Sequence, residues 1–294
     1  MHDNAPFLTC RSDFHPPEGV RGPVPNIIDE GLVFDVGAHV GEDSDFYLEL
    51  GYRVVAVEAN PDLAERLAKR FEQEIQRGRY IIVPKAIGEA DEQIAFFVNE
   101  RRSIWGTTDP EWAARNEHVG CPSEQIRVPC VRFEELLRLH GHPLYVKTDI
   151  EGADMCCVRA LEHVDPAARP KFISVESNKT SWRELREEFD AFERLGYDRY
   201  QVVDQRGHPS GRYRTVDRGV IDYTFESGAS GPFGTDLPGP WLTRRQALRR
   251  YIPIFVLYQT IGDTTFMAKV LRRIPVLRSC LGWVSWYDTH AMRA

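Results

Sequence analysis

The chain has 294 residues, 42% of them hydrophobic and 28% charged, an ordinary composition for a globular fold with a sizeable core. A formal net charge of −7 gives no general pull toward nucleic acid, and no apolar run is long enough to span a bilayer. The six cysteines (Cys10, Cys121, Cys130, Cys156, Cys157 and Cys280) make no Cys-x-x-Cys pair, and the Met1-His-Asp-Asn start lacks the basic and apolar parts of a signal peptide. A zinc or disulfide framework is therefore not expected, and a reducing cytoplasm is.

Residues 1–30 are rich in Pro and Gly and read as an N-terminal arm or cap. Strands and helices then alternate. Leu32 to Val36 is a buried strand, Ser44 to Leu50 a helix, Arg53 to Glu58 a strand. Pro61 to Arg77 is an amphipathic helix, with Pro61 in its first turn and Leu63, Leu67, Phe71 and Ile75 along one face. Tyr80 to Val83 is a third strand, and Ile94 to Val98 another, in a hairpin beyond it. A polar loop with a short helix follows from Arg101 to Val119. Arg132 to Leu139 is helical, Leu144 to Thr148 a central strand, Ala153 to Leu161 a helix, and Phe172 to Val175 a strand. Trp182 to Leu195 is a strongly periodic helix stopped by Gly196, and Tyr200 to Val203 is a further strand. This alternation predicts an α/β fold with a mostly parallel, doubly wound sheet over residues 31–205. Residues 206–294 form a C-terminal extension: a Gly/Pro-rich loop packed over the core as a lid, a helix from Trp241 to Tyr251, a stretch from Ile252 to Arg278 that mixes apolar and basic residues at roughly helical spacing, and a docked aromatic tail.

The most informative stretch is Val33-Phe-Asp-Val-Gly-Ala-His-Val-Gly41 followed by Val54-Val-Ala-Val-Glu58. Two apolar runs each end in an acid, the shape of a nucleoside-cofactor site at the carboxyl edge of a parallel sheet. Glu58 is placed to accept both hydroxyls of a ribose. The third glycine of a dinucleotide fingerprint is missing, and Glu42, Asp43 and Asp45 stand at the helix start instead. Carboxylates there repel a pyrophosphate but not a cationic sulfonium, which favours S-adenosylmethionine over NAD.

The second motif is Lys147-Thr-Asp-Ile-Glu-Gly-Ala-Asp154, in which period-two alternation puts Lys147, Asp149 and Glu151 on one side. Asp149 is placed to hold a methionyl ammonium or to orient a substrate hydroxyl. Glu151 opens the next helix, where a carboxylate is favoured. Asp149, His39 and His290 are the candidate general bases for a hydroxyl acceptor. Asp149, Glu176 and Asn178 form a candidate oxygen set for magnesium, second to a reading in which Glu176 and Asn178 only line the pocket. Trp105, Trp112, Phe233 and Trp241 fall in segments expected to fold over the pocket, as an aromatic wall or as core. The pairs Arg244-Arg245, Arg249-Arg250 and Arg272-Arg273 read first as a solvated basic face and second as a peripheral contact with a membrane surface or anionic partner.

Through Phe34-Asp-Val-Gly-Ala-His-Val-Gly41, Val55-Ala-Val-Glu-Ala-Asn-Pro61 and Lys147-Thr-Asp-Ile-Glu-Gly-Ala-Asp154, the chain resembles the FkbM-type S-adenosylmethionine-dependent methyltransferases. The resemblance covers roughly residues 30–205 and extends to Ser230-Gly-Pro-Phe-Gly and the Trp-Tyr-Asp-Thr-His-Ala end. It implies a Rossmann-like class I methyltransferase fold and O-methylation of a sugar or natural-product hydroxyl. It also implies that Asp35, Gly37 and Gly41 frame the methionine part, with Ala38 and Ala59 among the cofactor-binding positions. Ala86 and Ile87 would lie near adenine, and Asp149 beside the transferred methyl. The last acid of the third block is Asp154 where the family commonly has Glu. The alternatives are a nitrogen or carboxylate acceptor, a non-catalytic adenosyl-cofactor-binding module, and an NAD-dependent oxidoreductase.

Overall fold

A computed structural model describes residues 26–89, 93–99, 105–118, 120–208, 210–262 and 286–294. The arm up to residue 25, Cys10, Cys280, Leu271, Arg272, Arg273 and Trp283 lie outside the described residues.

The elements run β1 (Ile28–Val36), α1 (Glu42–Glu49), β2 (Arg53–Val57), α2 (Pro61–Arg70), α3 (Glu72–Gln76), β3 (Tyr80–Val83), β4 (Ala86–Ile87), β5 (Gln93–Asn99), α4 (Pro110–His118), β6 (Ser123–Val131), α5 (Phe133–His140), β7 (His142–Thr148), α6 (Asp154–Ala160), β8 (Phe172–Glu176), α7 (Trp182–Leu195), β9 (Arg199–Asp204), β10 (Gly211–Arg214), β11 (Val220–Tyr223), α8 (Arg244–Ile261) and β12 (Tyr287–Met292). Seven strands form one sheet in the order β3-β2-β1-β7-β8-β12-β9. The ladders from β3 through β8 are parallel, and β12 runs antiparallel to both β8 and β9. This is the mostly parallel, doubly wound α/β sheet expected from the alternation of strands and helices.

Side-chain alternation divides the buried strands between two cores. Phe34, Val36, Val55, Val146, Ile173 and Ala291 face one side, where Phe133, Leu137, Val158, Phe189 and Tyr251 of α5 to α8 cover them. Val33, Val54, Ala56 and Tyr145 face the other, under Phe46 and Tyr47 of α1 and Leu67 of α2. Beyond α1 that second face is roofed by the β10–β11 hairpin and the loop after it. Phe233 of that loop stacks on Tyr145 at 4.1 Å between ring centroids, 6° from parallel. The segment expected as a lid is thus in large part a wall of the core.

Four features depart from the expected elements. The helix expected over Pro61–Arg77 breaks at Phe71 into α2 and α3; Phe71 leaves helical geometry at φ −109°, ψ 25°, and its ring packs on Tyr80. β6 pairs with β5 and β4 in a small separate sheet. α8 starts at Arg244 rather than Trp241 and runs unbroken through Pro253 to Ile261, into the stretch read at helical spacing. The tail enters the central sheet as β12 rather than docking on its surface: Thr289 pairs with both Val175 and Val202.

Candidate active site

The site forms where β1, β2 and β7 end. After β1 the chain turns at Gly37, φ +87°, and the amides of Gly37 and Ala38 both donate to the carbonyl of Val57, at 2.9 and 3.1 Å. A Cβ on Gly37 would stand 1.9 Å from the Asp149 carbonyl oxygen, so only glycine lets the tip of β1 approach the tip of β7 this closely. His39 follows at φ +50°, in the left-handed region that side chains rarely occupy. Its amide donates to Glu58 Oε2 at 2.8 Å, and the amide of Asn60 donates to Glu58 Oε1 at 2.8 Å. Glu58 therefore joins the loops after β1 and β2. Burial pushes its carboxyl up to about 7, with the two amides and His39 acting in the opposite direction.

Between these tips lies a cleft with about 570 Å³ of empty space, part of it open to solvent. Gly37, His39, Glu58, Ala59, Ala86, Ile87 and Asp149 line it, all of them expected site residues. Asn60, Leu63, Lys85, Phe96, Gly106, Thr108, Ile150 and Ala153 also line it and were not anticipated. Asn60 and Ile150 stood inside the quoted motifs; Phe96 and Gly106 carried no comparable signal, because the small sheet β4-β6-β5 brings Phe96 to the cleft and Gly106 stands in the loop bridged to β5 through Thr107. The fit to S-adenosylmethionine rests on this lining. Glu58 presents a carboxylate to the cleft, and Leu63, Ala86, Ile87 and Phe96 supply apolar lining to it. The three acids at the start of α1 hold other protein groups: Glu42 contacts His39, Asp43 contacts Lys147, and Asp45 accepts from the Tyr223 hydroxyl at 2.8 Å.

Four expectations change. Asp35 is fully buried; it accepts from the Ser44 hydroxyl at 2.6 Å and faces Lys147, so it acts beneath the loop instead of framing the cofactor. Ala38 is buried in the core under α1. Gly41 makes room for the Phe71 ring, which would lie 2.4 Å from a Cβ there, so its task is packing. His290 is 2% exposed, lies inside the sheet on β12 with its ring parallel to that of Tyr145, and burial pushes its imidazole down to about 3. A group so buried and so weakly basic does not suit the role of a general base.

The electrostatics centre on Lys147. Its Nζ lies 3.0 Å from Asp43, 3.6 Å from Asp35 and 3.7 Å from Asp149, and burial is outweighed by these acids, which raise it well above the usual lysine range. Asp149 is the member that opens to the cleft, with 41% of its side chain exposed. Its low-dielectric surroundings raise its carboxyl, Lys147 opposes this, and Glu176 and Asp43 reinforce it. Register places Asp149 beside the end of β8, and Glu176 of β8 opposite Asp288 of β12. Asp288 is raised well above the carboxylate range by burial and then by Asp149 and Glu176. Asp154 accepts from the Ile150 amide at 3.0 Å and burial lifts it to about 7.

Among the described residues no group of three or more His, Cys, Asp or Glu is arranged to hold a metal ion. Asn178 Oδ1 accepts from the amides of Thr180 and Ser181, and Glu176 is paired with Lys179, so both expected magnesium ligands have protein partners. Of the four aromatics expected over the pocket, Phe233 and Trp241 pack in the core roof, Trp105 is buried, and Trp112 carries Arg115 over its ring at 4.7 Å. Among the described residues no helix is long and apolar enough to cross a membrane.

The profile of a family described as "Methyltransferase FkbM domain" matches residues 35–199, more than half of the chain. No curated protein matches. Among solved structures, a precorrin-6y C5,15-methyltransferase from Geobacter metallireducens is similar at 10% identity and TM-score 0.36, covering 91% of this chain and 82% of that one. An S-adenosylmethionine-dependent O-methyltransferase from Thermotoga maritima is similar at 9% identity and TM-score 0.34, covering 91% and 61%. An S-adenosylmethionine-dependent methyltransferase from Thiobacillus denitrificans, in complex with S-adenosylhomocysteine, is similar at 10% identity and TM-score 0.33, covering 91% and 87%.

Proposed function

The chain belongs to the FkbM methyltransferase domain family, and from that premise we propose that this enzyme transfers a methyl group from S-adenosylmethionine to a hydroxyl of a small molecule or glycan. The observation that carries the reading is that Glu58 and Asp149 line one cleft from the ends of β2 and β7, the strands on either side of β1, with apolar lining beyond Glu58. When bound, the cofactor supplies an electrophilic methyl on a sulfonium sulfur, so the protein's part is positioning and proton handling.

In this reading Glu58 takes the ribose hydroxyls while its other lone pairs keep the His39 and Asn60 amides. Ala86, Ile87, Leu63 and Phe96 enclose the adenine. Asp149, partly exposed and held by Lys147, faces the methionyl ammonium or the acceptor hydroxyl. Gly37 keeps the two strand tips close enough for both ends of one ligand to be held at once. The acid-rich surroundings of Asp149 suit the positive charge of the sulfonium and disfavour an anionic acceptor. Four cysteines with free thiols, Cys121, Cys130, Cys156 and Cys157, accord with a reducing, cytoplasmic setting.

Calorimetry with S-adenosylmethionine, S-adenosylhomocysteine and NAD tests the cofactor: binding of the first two and not the third is expected, and NAD binding alone would sink it. Incubation of the protein with labelled methyl donor and a cell metabolite extract, followed by identification of the labelled product, tests the acceptor. A methyl ether is expected. A methylated amine or an ester would replace the hydroxyl reading, and no labelled product would favour a binding module.

A further inference from the structure

We propose that the outer face of α8, with Trp182 of α7 beside it, docks the enzyme on an anionic lipid surface. Helical spacing gives α8 two opposite stripes. Ala247, Tyr251, Ile254 and Phe255 are buried in the core. Arg245, Arg249, Ile252 and Val256 follow one another at helical intervals along the outer side, and all four are exposed. This outer stripe runs about 16 Å along the helix axis. Its first half is cationic and its second half apolar: Ile252 is 51% exposed and Val256 59%. Trp182 is anchored edge-on against Phe255, 5.0 Å between ring centroids, yet remains 37% exposed. It lines a groove with Arg245, Arg249 and Ile252.

Charge says what covers this face. α8 carries four arginines and no acid. Arg244 is paired with Asp190 and lies 3.6 Å from Glu193, which occupies the nearest carboxylates. Arg245 and Arg249 form no ion pair among the described residues. The first turn of a helix favours acids, so Arg245 there works against the fold instead of for it. Solvation accommodates such arginines but does not account for Ile252 and Val256 continuing the same stripe. A lipid interface accounts for both: guanidinium groups meet phosphates while the aliphatic side chains and Trp182 enter the boundary with the acyl chains. The chain as a whole carries −7, so attraction to an anionic surface has to come from a local patch of this kind. A second copy of the chain would bring two cationic patches together, which disfavours it as the occupant. None of these residues lines the cleft, so docking leaves the transfer site free.

The test is sedimentation of the full chain with vesicles of phosphatidylcholine alone and of an equal mixture of phosphatidylcholine and phosphatidylglycerol. Binding to the mixed vesicles is expected, about tenfold or more tighter than to the neutral ones and weakened by added salt. Arg245→Gln with Arg249→Gln should lower that affinity about 30-fold. Ile252→Ser with Val256→Ser should lower it about tenfold. Both pairs should keep the thermal midpoint and the S-adenosylhomocysteine affinity of the unaltered protein, because all four side chains are exposed and outside the cleft. Arg245→Gln alone should lose about fivefold and serves should a double variant not fold. No binding of the unaltered protein to the mixed vesicles, or full binding by the arginine variant, overturns the proposal. Binding of polyglutamate without binding of vesicles would assign the face to an acidic protein. Self-association that Ile252→Ser with Val256→Ser abolishes, again without vesicle binding, would assign it to a second copy. Either result overturns the lipid reading.

Discussion

The amide of His39 donates to Glu58 Oε2 at 2.8 Å, so the turn after β1 and the carboxylate after β2 form one unit across nineteen residues of sequence. The Asn60 amide occupies the other oxygen at 2.8 Å. Glu58→Ala removes the ribose acceptor and strands two amides at once. We expect affinity for S-adenosylhomocysteine to fall at least 30-fold by calorimetry, about 2 kcal/mol, in keeping with the loss of charge-assisted hydrogen bonds. Unchanged affinity would remove Glu58 from the ribose site.

The same carboxyl predicts a pH dependence of binding. Burial holds Glu58 at about 7 in the cofactor-free cleft. Ribose hydroxyls donate to the ionised form and so lower that value in the complex. Binding then releases a proton when the free enzyme is protonated. Affinity for S-adenosylhomocysteine should be flat above pH 8 and weaken as pH falls through about 7, approaching tenfold per pH unit. Glu58→Gln should abolish the slope. A pH-independent Kd between 6 and 8 in the unaltered protein would count against the assignment.

Stability of the cofactor-free protein should move the other way. Glu58 and Asp154 sit at about 7 and Glu188 at about 8, each raised chiefly by burial. Between the ordinary carboxylate value and these raised values the folded chain holds protons that the unfolded chain has released, so stability falls as pH rises from about 4.5 to 8 and levels off above. A carboxyl moved from 4.5 to about 7 contributes ~3 kcal/mol of this loss once ionised. His290 acts with the opposite sign: held down to about 3, it stays neutral when folded but takes a proton near pH 6.5 when unfolded. Between about pH 4.5 and 6.5 three carboxyls lose stability against one histidine that gains it, so thermal midpoints by calorimetry should peak near the ordinary carboxylate range, fall by several degrees as pH rises to about 8 and change little beyond.

Asp149 is the partly exposed member of the Lys147 cluster and lines the cleft. Asp149→Asn keeps the shape and removes one of the three carboxylates around Lys147. If its work is on the acceptor side, turnover should fall 100-fold or more while S-adenosylhomocysteine affinity changes less than fivefold. A loss confined to cofactor binding would instead assign the carboxylate to the methionyl ammonium.

Much of this site was legible in the sequence because its chemistry sits at strand ends. Asp35, Glu58 and Asp149 each follow an apolar run, and a strand tip is where an acid meets a ligand or a buried partner. What the pattern does not disclose is which of the two it meets. Asp35 meets Lys147, and only the tertiary approach of β1 and β7 decides that. Phe96 and Thr108 were hidden because they reach the cleft from the small sheet and the loop bridged to it, with no local mark of a site. The break at Phe71 was hidden too, since Leu67 and Phe71 keep helical spacing while the ring is drawn under Gly41. β12 was the largest omission. Its Asp288, Thr289 and His290 are polar yet buried, so the period-two apolar signal of a strand is absent.

That last strand gives the sharpest structural prediction. Thr289 bonds to Ser177 at 2.5 Å and to Tyr251 at 2.7 Å, and Ser177 donates to the buried carboxyl of Glu188 at 2.6 Å, so one network pins β12 to β8, α7 and α8. On the opposite face the stacking of Phe233 on Tyr145 closes the core above β7. A chain ending at residue 205 would leave β8 and β9 as unpaired edges and uncover both cores, a condition that favours aggregation. We expect such a truncation to be insoluble or to lack a cooperative thermal transition, and Phe233→Ala in the full chain to lose about 3 kcal/mol or more, read from denaturant unfolding. A soluble 1–205 fragment with a cooperative transition and intact S-adenosylhomocysteine binding would show instead that the C-terminal residues are a separable extension.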